Sequence, residues 1–568
     1  MSIFGSVLSF IGGEGLASNL ARVAILGFAS RLLNKNTNSD QNDEGAQDLV
    51  DPGVRVQLDP STDNRIPVLY GESFFGGYVT DAVVSADYTK MSFAVTLSES
   101  TGTLLSTSAA SDYIFQNLYF DSNRVVFKSD DVTVDYTLDT AGNQDIKHRD
   151  LVKVYFYKGQ TGIAPAGSAV SIPAPSTVMP GWTAGTHPMT DLIYAIVEVT
   201  YSRSAGVTGL PNCVFHVKNS MKLPGDVLDD YMKSTRYGAG IVAGDIDTSL
   251  VALNTFCSAG FSYTDADSTV QTGTIAINGL VDTGTSVLSN MQGLAEAGSS
   301  WLSYNVHEGK WSAIINKTGT SIASMSDTHI IGEISVGGTG LSQLFNACDV
   351  EFSNTDILDK TDFAKISLPS GDLFQNEVAN TMQLKFPFTN KQNVAIKLGA
   401  QALKQARVDK IISFVTDYSF INIKAGEIID VTNTVFGFTN KPFRVISVEE
   451  VEDDDGSLSV KFECLEYLSS VYDFDIQEVT IVTEDGFLSV GAIGTPDVPI
   501  VQKVQQSNVP RINVTADTPS GIVDSMEFWL TFDTGVASDA NRTYERIGSV
   551  GNPDGSLLTE NQTVAFRY

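Results

Sequence analysis

Residues 222–257 read KLPGDVLDDYMKSTRYGAGIVAGDIDTSLVALNTFC, and this stretch decides how the chain is built. Val227, Leu228, Tyr231 and Met232 recur at helical spacing and form one apolar face. Asp226 falls in the first turn, where a negative charge suits the helix dipole, and Lys233 and Arg236 fall at the end. Gly238 and Gly240 then predict a chain reversal through positive φ. Asp247 is placed to cap a second helix, whose Leu250, Val251, Leu253 and Cys257 are expected to face a core. The stretch holds no nucleophile beside a base and no metal spacing, so it carries architecture rather than chemistry.

The order of residues here resembles a known family. Thr235-Arg236-Tyr237-Gly238-Ala239-Gly240-Ile241, then Asp245-Ile246-Asp247, then a helix ending in Phe256-Cys257, is similar to the lambda-type tip attachment proteins of long-tailed phages and, more broadly, to central tail hub proteins. Two departures stand out: Leu223-Pro224-Gly225 replaces the usual Asn-Pro-Ala, and Leu253-Asn254 replaces an alanine pair. Further patches resemble the family in the expected order. They are IPVLYGESFFGGYVTD (66–81), WLSYNVHEGKWSAII (301–315), and AGEIIDVT (425–432), with Ala425 where a proline is usual. The last continues through Asn440-Lys441-Pro442-Phe443-Arg444-Val445 and Glu466-Tyr467 to Val471-Tyr472-Asp473. The motif positions are Tyr231, Thr235, Arg236, Tyr237, Gly238, Gly240, Asp247, Gly426, Asp430, Lys441, Glu466 and Tyr472, and the resemblance gives them packing and turn roles. It implies no cofactor and no catalytic or metal-binding residue.

The 568 residues exceed what one core supports, and low charge content with abundant Gly and Val favours β structure. Good alternation makes 77–85 and 91–97 a hairpin. Short strands follow at Tyr113–Phe120, Val125–Lys128, Val132–Leu138 and Leu151–Tyr157, with Asp121-Ser122-Asn123 as a turn, and then Leu192–Tyr201 and Asn212–Lys218. A third helix starts near Ser286, burying Val287, Leu288, Met291 and Leu294; a fourth spans Asn393–Arg407. Glu308-Gly309 closes a hairpin whose Trp301 and Trp311 read as core or cross-strand aromatics. The expected fold is mainly β with α+β parts: a multidomain tail hub with two β-barrel-like domains. Its parts are an N-terminal helix and tether (1–50), hub β domain I (51–102 with 189–221), and an inserted β domain (103–188). An α+β domain (222–328), hub β domain III (329–475), a linker (476–496) and a C-terminal β-sandwich-like unit (497–568) complete it.

A formal net charge of −31 disfavours binding to a nucleic-acid backbone, which requires clustered Lys and Arg. Cys213, Cys257, Cys348 and Cys464 lie far apart, with no disulfide framework or metal spacing, and point to a reducing compartment during assembly. The five histidines are scattered, and Gly337-Gly338-Thr339-Gly340 lacks the lysine of a phosphate loop. Asp453-Asp454-Asp455-Gly456 resembles half of a calcium loop, but Val451 and Phe462 occupy ligand positions, so an acidic turn is the better reading. In the first 50 residues, Leu16–Leu33 reads as a docking helix; Arg22 and Arg31 make it a poor membrane span.

The resemblance implies a structural virion protein: a homotrimeric hub at the distal end of a phage tail. On that reading it contacts a distal tail protein or tail tube hexamer, a tape measure protein, and tail fibre or receptor-binding proteins. DNA passes only in transit, and a host surface receptor is a further partner. Two other classes stay open. A carbohydrate-binding tail spike needs an aromatic groove in 497–568, where adjacent Phe528 and Trp529 are expected on opposite strand faces. A wall hydrolase needs an acid and base pair that the many acidic residues leave unassigned.

Overall fold

The structure, a computed structural model, describes residues 65–338 and 344–477 except 141, 266, 306–307 and 453–455, together with 499–506, 509–518, 525–531, 545–552, 558 and 562–567. The expected N-terminal helix and tether, His307, the Asp453–Asp455 turn and residues 478–496 of the linker lie outside the described residues. The chain divides into two compact units, Met1–Val479 and Thr480–Tyr568. The fold is mainly β, with several sheets and a helical layer.

The first barrel-like body consists of two sheets. In one, Thr161–Ile163, Val152–Lys158, Leu192–Thr200, Lys90–Glu99, Val68–Tyr70 and Gly279–Val281 lie side by side, and Tyr78–Val84 also pairs with Lys90–Glu99. In the other the order is Glu72–Phe75, Cys213–Asn219, Tyr113–Phe120, Asn123–Phe127, Val134–Leu138 and Gln144–Asp145. Asp121 and Ser122 both take positive φ, as a two-residue hairpin joining Phe120 to Asn123 demands. This arrangement differs from the expected inserted domain at 103–188, whose strands are integral to both sheets. Phe115, Leu118, Phe120, Val154 and Phe156 share one buried core with Val95, Leu97, Ile193 and Phe215. The physical reason is burial on a shared face: Val152–Lys158 pairs along its length with Leu192–Thr200, and each supplies alternate side chains to the same interior. The Pro-, Gly- and Ala-rich segment after Gly159 covers the outer face of the first sheet. There Trp182 is buried, donates to Asp81 at 2.8 Å and stacks on His187.

Next come three helices, α1 (Pro224–Lys233), α2 (Ser249–Ala259) and α3 (Val287–Ala297). Val227, Leu228, Tyr231 and Met232 are buried as their spacing requires, and so are Leu250, Leu253, Cys257, Met291 and Leu294. Val251, Val287 and Leu288 were expected in the core but lie exposed. They sit on the helix sides turned away from the packed layer, and single exposed apolar residues are common on protein surfaces. The helical layer does not end at residue 328. The three-stranded sheet of Lys360–Ser367, Ala347–Asn354 and Thr381–Phe386, with α4 (Gln392–Ala406) across it, belongs to the same core as α1–α3. Gly399 of α4 permits this contact, since a Cβ there would lie 2.4 Å from Val350 Cγ2.

The second barrel-like body is one sheet in the order Ser321–Met325, Ile428–Asn433, Phe438–Glu452, Leu458–Glu466, Ile411–Asp417 and Ile330–Gly337. It closes on Phe414, Ile429, Val431, Phe443, Val460 and Phe462. The expected domain 329–475 is therefore divided. Residues 344–406 pack with the helices, while Ser321–Met325, placed earlier with the α+β part, pairs with Ile428–Asn433. All four cysteines are free and buried. In the C-terminal unit, Ile500–Gln506, Val509–Asp517 and Thr563–Arg567 form one sheet and Ser525–Leu530 with Glu545–Gly551 another.

Candidate functional site

Tyr231, Arg236, Tyr237, Gly238, Gly240, Asp247, Gly426 and Tyr472 of the motif positions lie along a polar spine that runs through the larger unit from the first barrel to the second. It begins at Asp230 of α1, a carboxylate only 8% exposed. The Tyr70 hydroxyl donates to its Oδ2 at 2.7 Å, the Tyr237 hydroxyl donates to the same oxygen at 2.8 Å, and the Gly102 N–H donates to Oδ1 at 2.8 Å. Burial pushes the Asp230 carboxyl above its ordinary range, against the pull of those donors. Burial and the neighbouring Asp230 likewise raise the phenols of Tyr70 and Tyr237, keeping both protonated as donors. Around this node Asn219 donates to the Leu69 carbonyl at 2.8 Å and to the Thr101 hydroxyl at 3.0 Å. An acid so enclosed and so fully supplied with donors joins elements; it does not shuttle protons to a substrate.

The connector after α1 folds back along the helix's last turn. Ala239 N–H donates to the Tyr231 carbonyl at 3.0 Å, Gly240 N–H to Ser234 at 3.0 Å and Ile241 N–H to Met232 at 2.8 Å. Gly240 has the expected positive φ of 65°, but Gly238 does not. Gly238 is required for close approach instead: a Cβ there would sit 1.8 Å from the Tyr231 carbonyl oxygen. Tyr231 is buried and its hydroxyl accepts from Asn290 of α3 at 2.9 Å, whereas Thr235 is exposed in the turn. Arg236 does more than face the helix dipole. It pairs with Glu99 at 2.6 Å and Asp191 at 2.7 Å, tying the connector to the first barrel. Asn254, which departs from the family's alanine pair, caps α1 from outside. Its Oδ1 accepts from the N–H groups of Gly225 at 2.8 Å and Asp226 at 3.1 Å, and its Nδ2 donates to Asp226 Oδ1 at 2.9 Å.

Asp247 carries the spine onward. Its carboxylate accepts from Ser249 N–H at 2.7 Å, and its own N–H donates to the Trp311 carbonyl at 2.8 Å. The residue at the cap position proper is Thr248, whose side chain makes no capping bond, so Asp247 acts one position early. Ser249 Oγ then accepts from Ala313 N–H at 3.0 Å, fixing α2 to the hairpin of Ser300–Asn305 and Lys310–Ile315. In that hairpin Trp311 packs across from Tyr304 at 5.2 Å.

From the hairpin the spine enters the second barrel. Gly426, with φ of 91°, leaves room for Ile314, whose Cγ2 would lie 2.2 Å from a Cβ. Arg444 is 6% exposed; it donates to the Lys317 carbonyl at 2.7 Å and to the Tyr472 hydroxyl at 3.0 Å, and lies over Trp301 and Tyr467. Tyr472 in turn donates to Asn316 Oδ1 at 3.0 Å, and burial raises its phenol. Lys441 and Glu466 form a separate ion pair at 2.5 Å on adjacent strands. Asp430 sits in register with Ser324 and Pro442, where Ser321–Met325 joins the sheet. Lys441, Glu466 and Asp430 thus stabilise the second barrel itself, outside the spine. Sequence reasoning named neither Asp230, Asn254, Arg444 nor Asn316 as site residues. Asn254 carried a signal, as a polar residue in a place that usually holds alanine, and Arg444 lay within a family-like patch without being singled out.

Among the described residues no group of three or more His, Cys, Asp or Glu side chains is placed to hold a metal ion. The C-terminal unit has a cleft of about 330 Å³ between its two sheets, lined chiefly by Val501, Ile512, Val514, Met526, Phe528 and Trp529. Burial alternates along Ser525–Leu530, with Phe528 buried and Trp529 54% exposed, so the two adjacent aromatics lie on opposite strand faces as expected.

No protein-family profile matches the whole or part of the chain. A curated sequence does. The chain is 23% identical, over 302 residues, to baseplate hub protein pb3 of Escherichia phage T5, a match covering 47% of this chain and 31% of that protein. The chain is a distant relative of a phage baseplate hub protein. Less than a third of pb3 is matched, so the kinship is one of a shared region. Among solved structures, a chain from the virion of a native gene transfer agent particle superposes with a TM-score of 0.45 and 14% identity, over 84% of this chain and all of that one. A tail protein from Neisseria meningitidis MC58 gives a TM-score of 0.29 and 8% identity, over 72% of this chain and all of that one. Those superpositions are loose; the hub kinship rests on the sequence match.

Proposed function

We propose that this chain is a structural hub subunit at the distal tip of a phage tail. On this reading it works as a homotrimer that closes the tail tube, seats the end of the tape measure protein, carries receptor-binding components, and opens to let DNA pass. The observation that carries the proposal is the coincidence of the hub-related sequence with the polar spine. Most of the residues that resemble the hub family, Arg236, Tyr237, Asp247, Gly426 and Tyr472 among them, serve to hold two barrel-like bodies to one helical layer, as a ring subunit under mechanical load needs. Two such bodies in each of three copies would present six similar surfaces to a hexameric tube. The acidic balance of −31 suits a passage that DNA must leave without sticking.

The chemistry supports a mechanical role over a hydrolytic one. The buried acids of the spine are engaged with donors, and the cleft of the C-terminal unit is walled by aliphatic and aromatic side chains rather than the polar groups that sugar hydroxyls require. The test is native mass spectrometry of the purified chain. The trimer has a mass of 183 kDa, three times 61.0 kDa. A monomer that stays monomeric when mixed with isolated tail tubes and does not bind them would overturn the proposal.

A further inference from the structure

The strand Glu72–Phe75 is the free edge of its sheet, with Cys213–Asn219 on one side only. Its outward N–H groups alternate, and both are capped by side chains from other parts of the chain. Glu72 N–H donates to Asn278 Oδ1 at 3.1 Å, and Phe74 N–H donates to Asp359 Oδ2 at 2.8 Å. The Ser73 hydroxyl adds a second bond to the same Asp359 oxygen at 2.9 Å. Asp359 arrives on the turn that follows Thr355–Ile357, where Leu358 and Asp359 hold φ of 60° and 58° in succession. Two consecutive side-chain-bearing residues in the left-handed region store strain that the contact must offset. The carboxyl is 5% exposed, and its second oxygen, Oδ1, is buried without a hydrogen-bond partner in the protein.

We propose that Asp359 is an acid-tightened latch, joining the layer of Ala347–Asn354 to the edge of the first barrel and holding it more firmly when its carboxyl is protonated than when it is ionised. The geometry supplies the reason. An ionised carboxylate spreads charge over both oxygens, and here one of them is buried without a donor; protonation removes that charge and keeps the acceptor that Ser73 and Phe74 use. Burial pushes the group up to about 6, against the pull of the Phe74 and Ser73 bonds. The charged groups that face it are His216 of the neighbouring strand, which favours the ionised form, and Glu72, which opposes it. Lys218 and Lys391 act on Glu72 in turn, and His216 is bonded to Glu72 at 2.7 Å. A carboxyl that binds its proton more tightly folded than unfolded contributes stability as pH falls through about 6 and loses it as pH rises through that value.

The test compares the full chain with Asp359→Asn and His216→Gln between about pH 7.5 and about pH 5. In the wild type the unfolding midpoint rises on acidification, and the Phe74 amide gains protection from hydrogen exchange, after correction for intrinsic rates, by about tenfold. The Asp359→Asn chain lacks this component while keeping whatever general gain the acidic surface gives, and His216→Gln retains it. If the asparagine variant tracks the wild type in parallel, if Phe74 protection is flat with pH, or if the glutamine variant loses the effect, the latch is disproved. The Phe74 measurement is made on the wild-type chain, so it decides the matter even if a variant fails to fold.

Discussion

Gly238→Ala perturbs the spine at its tightest point. The added Cβ would lie 1.8 Å from the Tyr231 carbonyl oxygen, 2.8 Å from its carbon and 3.1 Å from the Ser234 oxygen. Contacts under 3.0 Å do not persist, so the connector must move by at least 1.2 Å (3.0 − 1.8) from the helix backbone. Such a shift opens the bonds from Ala239 to Tyr231 and from Gly240 to Ser234, both 3.0 Å long. Two backbone bonds at about 1 kcal/mol each, with overpacking of about 1–3 kcal/mol, give a loss of about 3–5 kcal/mol. That is a large fraction of the about 5–15 kcal/mol by which domains are stable. Gly240→Ala is the internal reference. Its Cβ would clear Thr235 Cγ2 by 3.8 Å, so it suffers chiefly from its φ of 65°, at about 1–2 kcal/mol. Urea unfolding of the two variants and the wild type, followed by fluorescence and by hydrogen exchange at 231–241, measures the difference. Gly238→Val should be worse than Gly238→Ala. A Gly238→Ala chain no less stable than Gly240→Ala would refute the close-approach argument.

Other parts of the spine give separate expectations. Asn254→Ala removes the acceptor for two amides of the first turn of α1 and should cost about 2 kcal/mol, read from the urea midpoint. Tyr70→Phe takes a donor from the ionised Asp230 and should cost about 1–2 kcal/mol near neutrality. Because the Asp230 carboxyl is already raised and loses further support for its charged form, the penalty should shrink as pH falls and the acid becomes protonated in both chains; a penalty constant with pH would contradict this. Arg444→Lys retains the charge but loses the planar group that bonds Lys317 and Tyr472 while covering Trp301 and Tyr467. It should cost about 2 kcal/mol and speed hydrogen exchange at 310–317 ahead of the first barrel.

The sequence carried the elements better than their partners. Helix α1 was legible because apolar spacing, a proline at its start and an acid in its first turn agree, and Tyr113–Phe120 because alternation and turn residues agree. Strand pairing is not written locally. Nothing between 152 and 158 announces Leu192–Thr200 as its neighbour, so an integral part of the first barrel read as an insertion. The same gap hid the join between Lys360–Phe386 and the helices, which depends on a shared buried face. At Gly238 the residue was legible and its reason was not: glycine signals either positive φ or close approach, and only folding back on Tyr231 selects the second. Asp230 was silent because an acid inside a helix normally faces water, and its three donors come from 70, 102 and 237.

The central claim is that this chain belongs at the distal tip of a tail. Its most direct measurement is electron microscopy of intact tails carrying the chain, with a gold-labelled antibody raised against the folded Met1–Val479 unit. The account predicts label confined to the tail end farthest from the head. Label along the tube, label at the head junction, or tails that lack label while the chain is present in free form would contradict it.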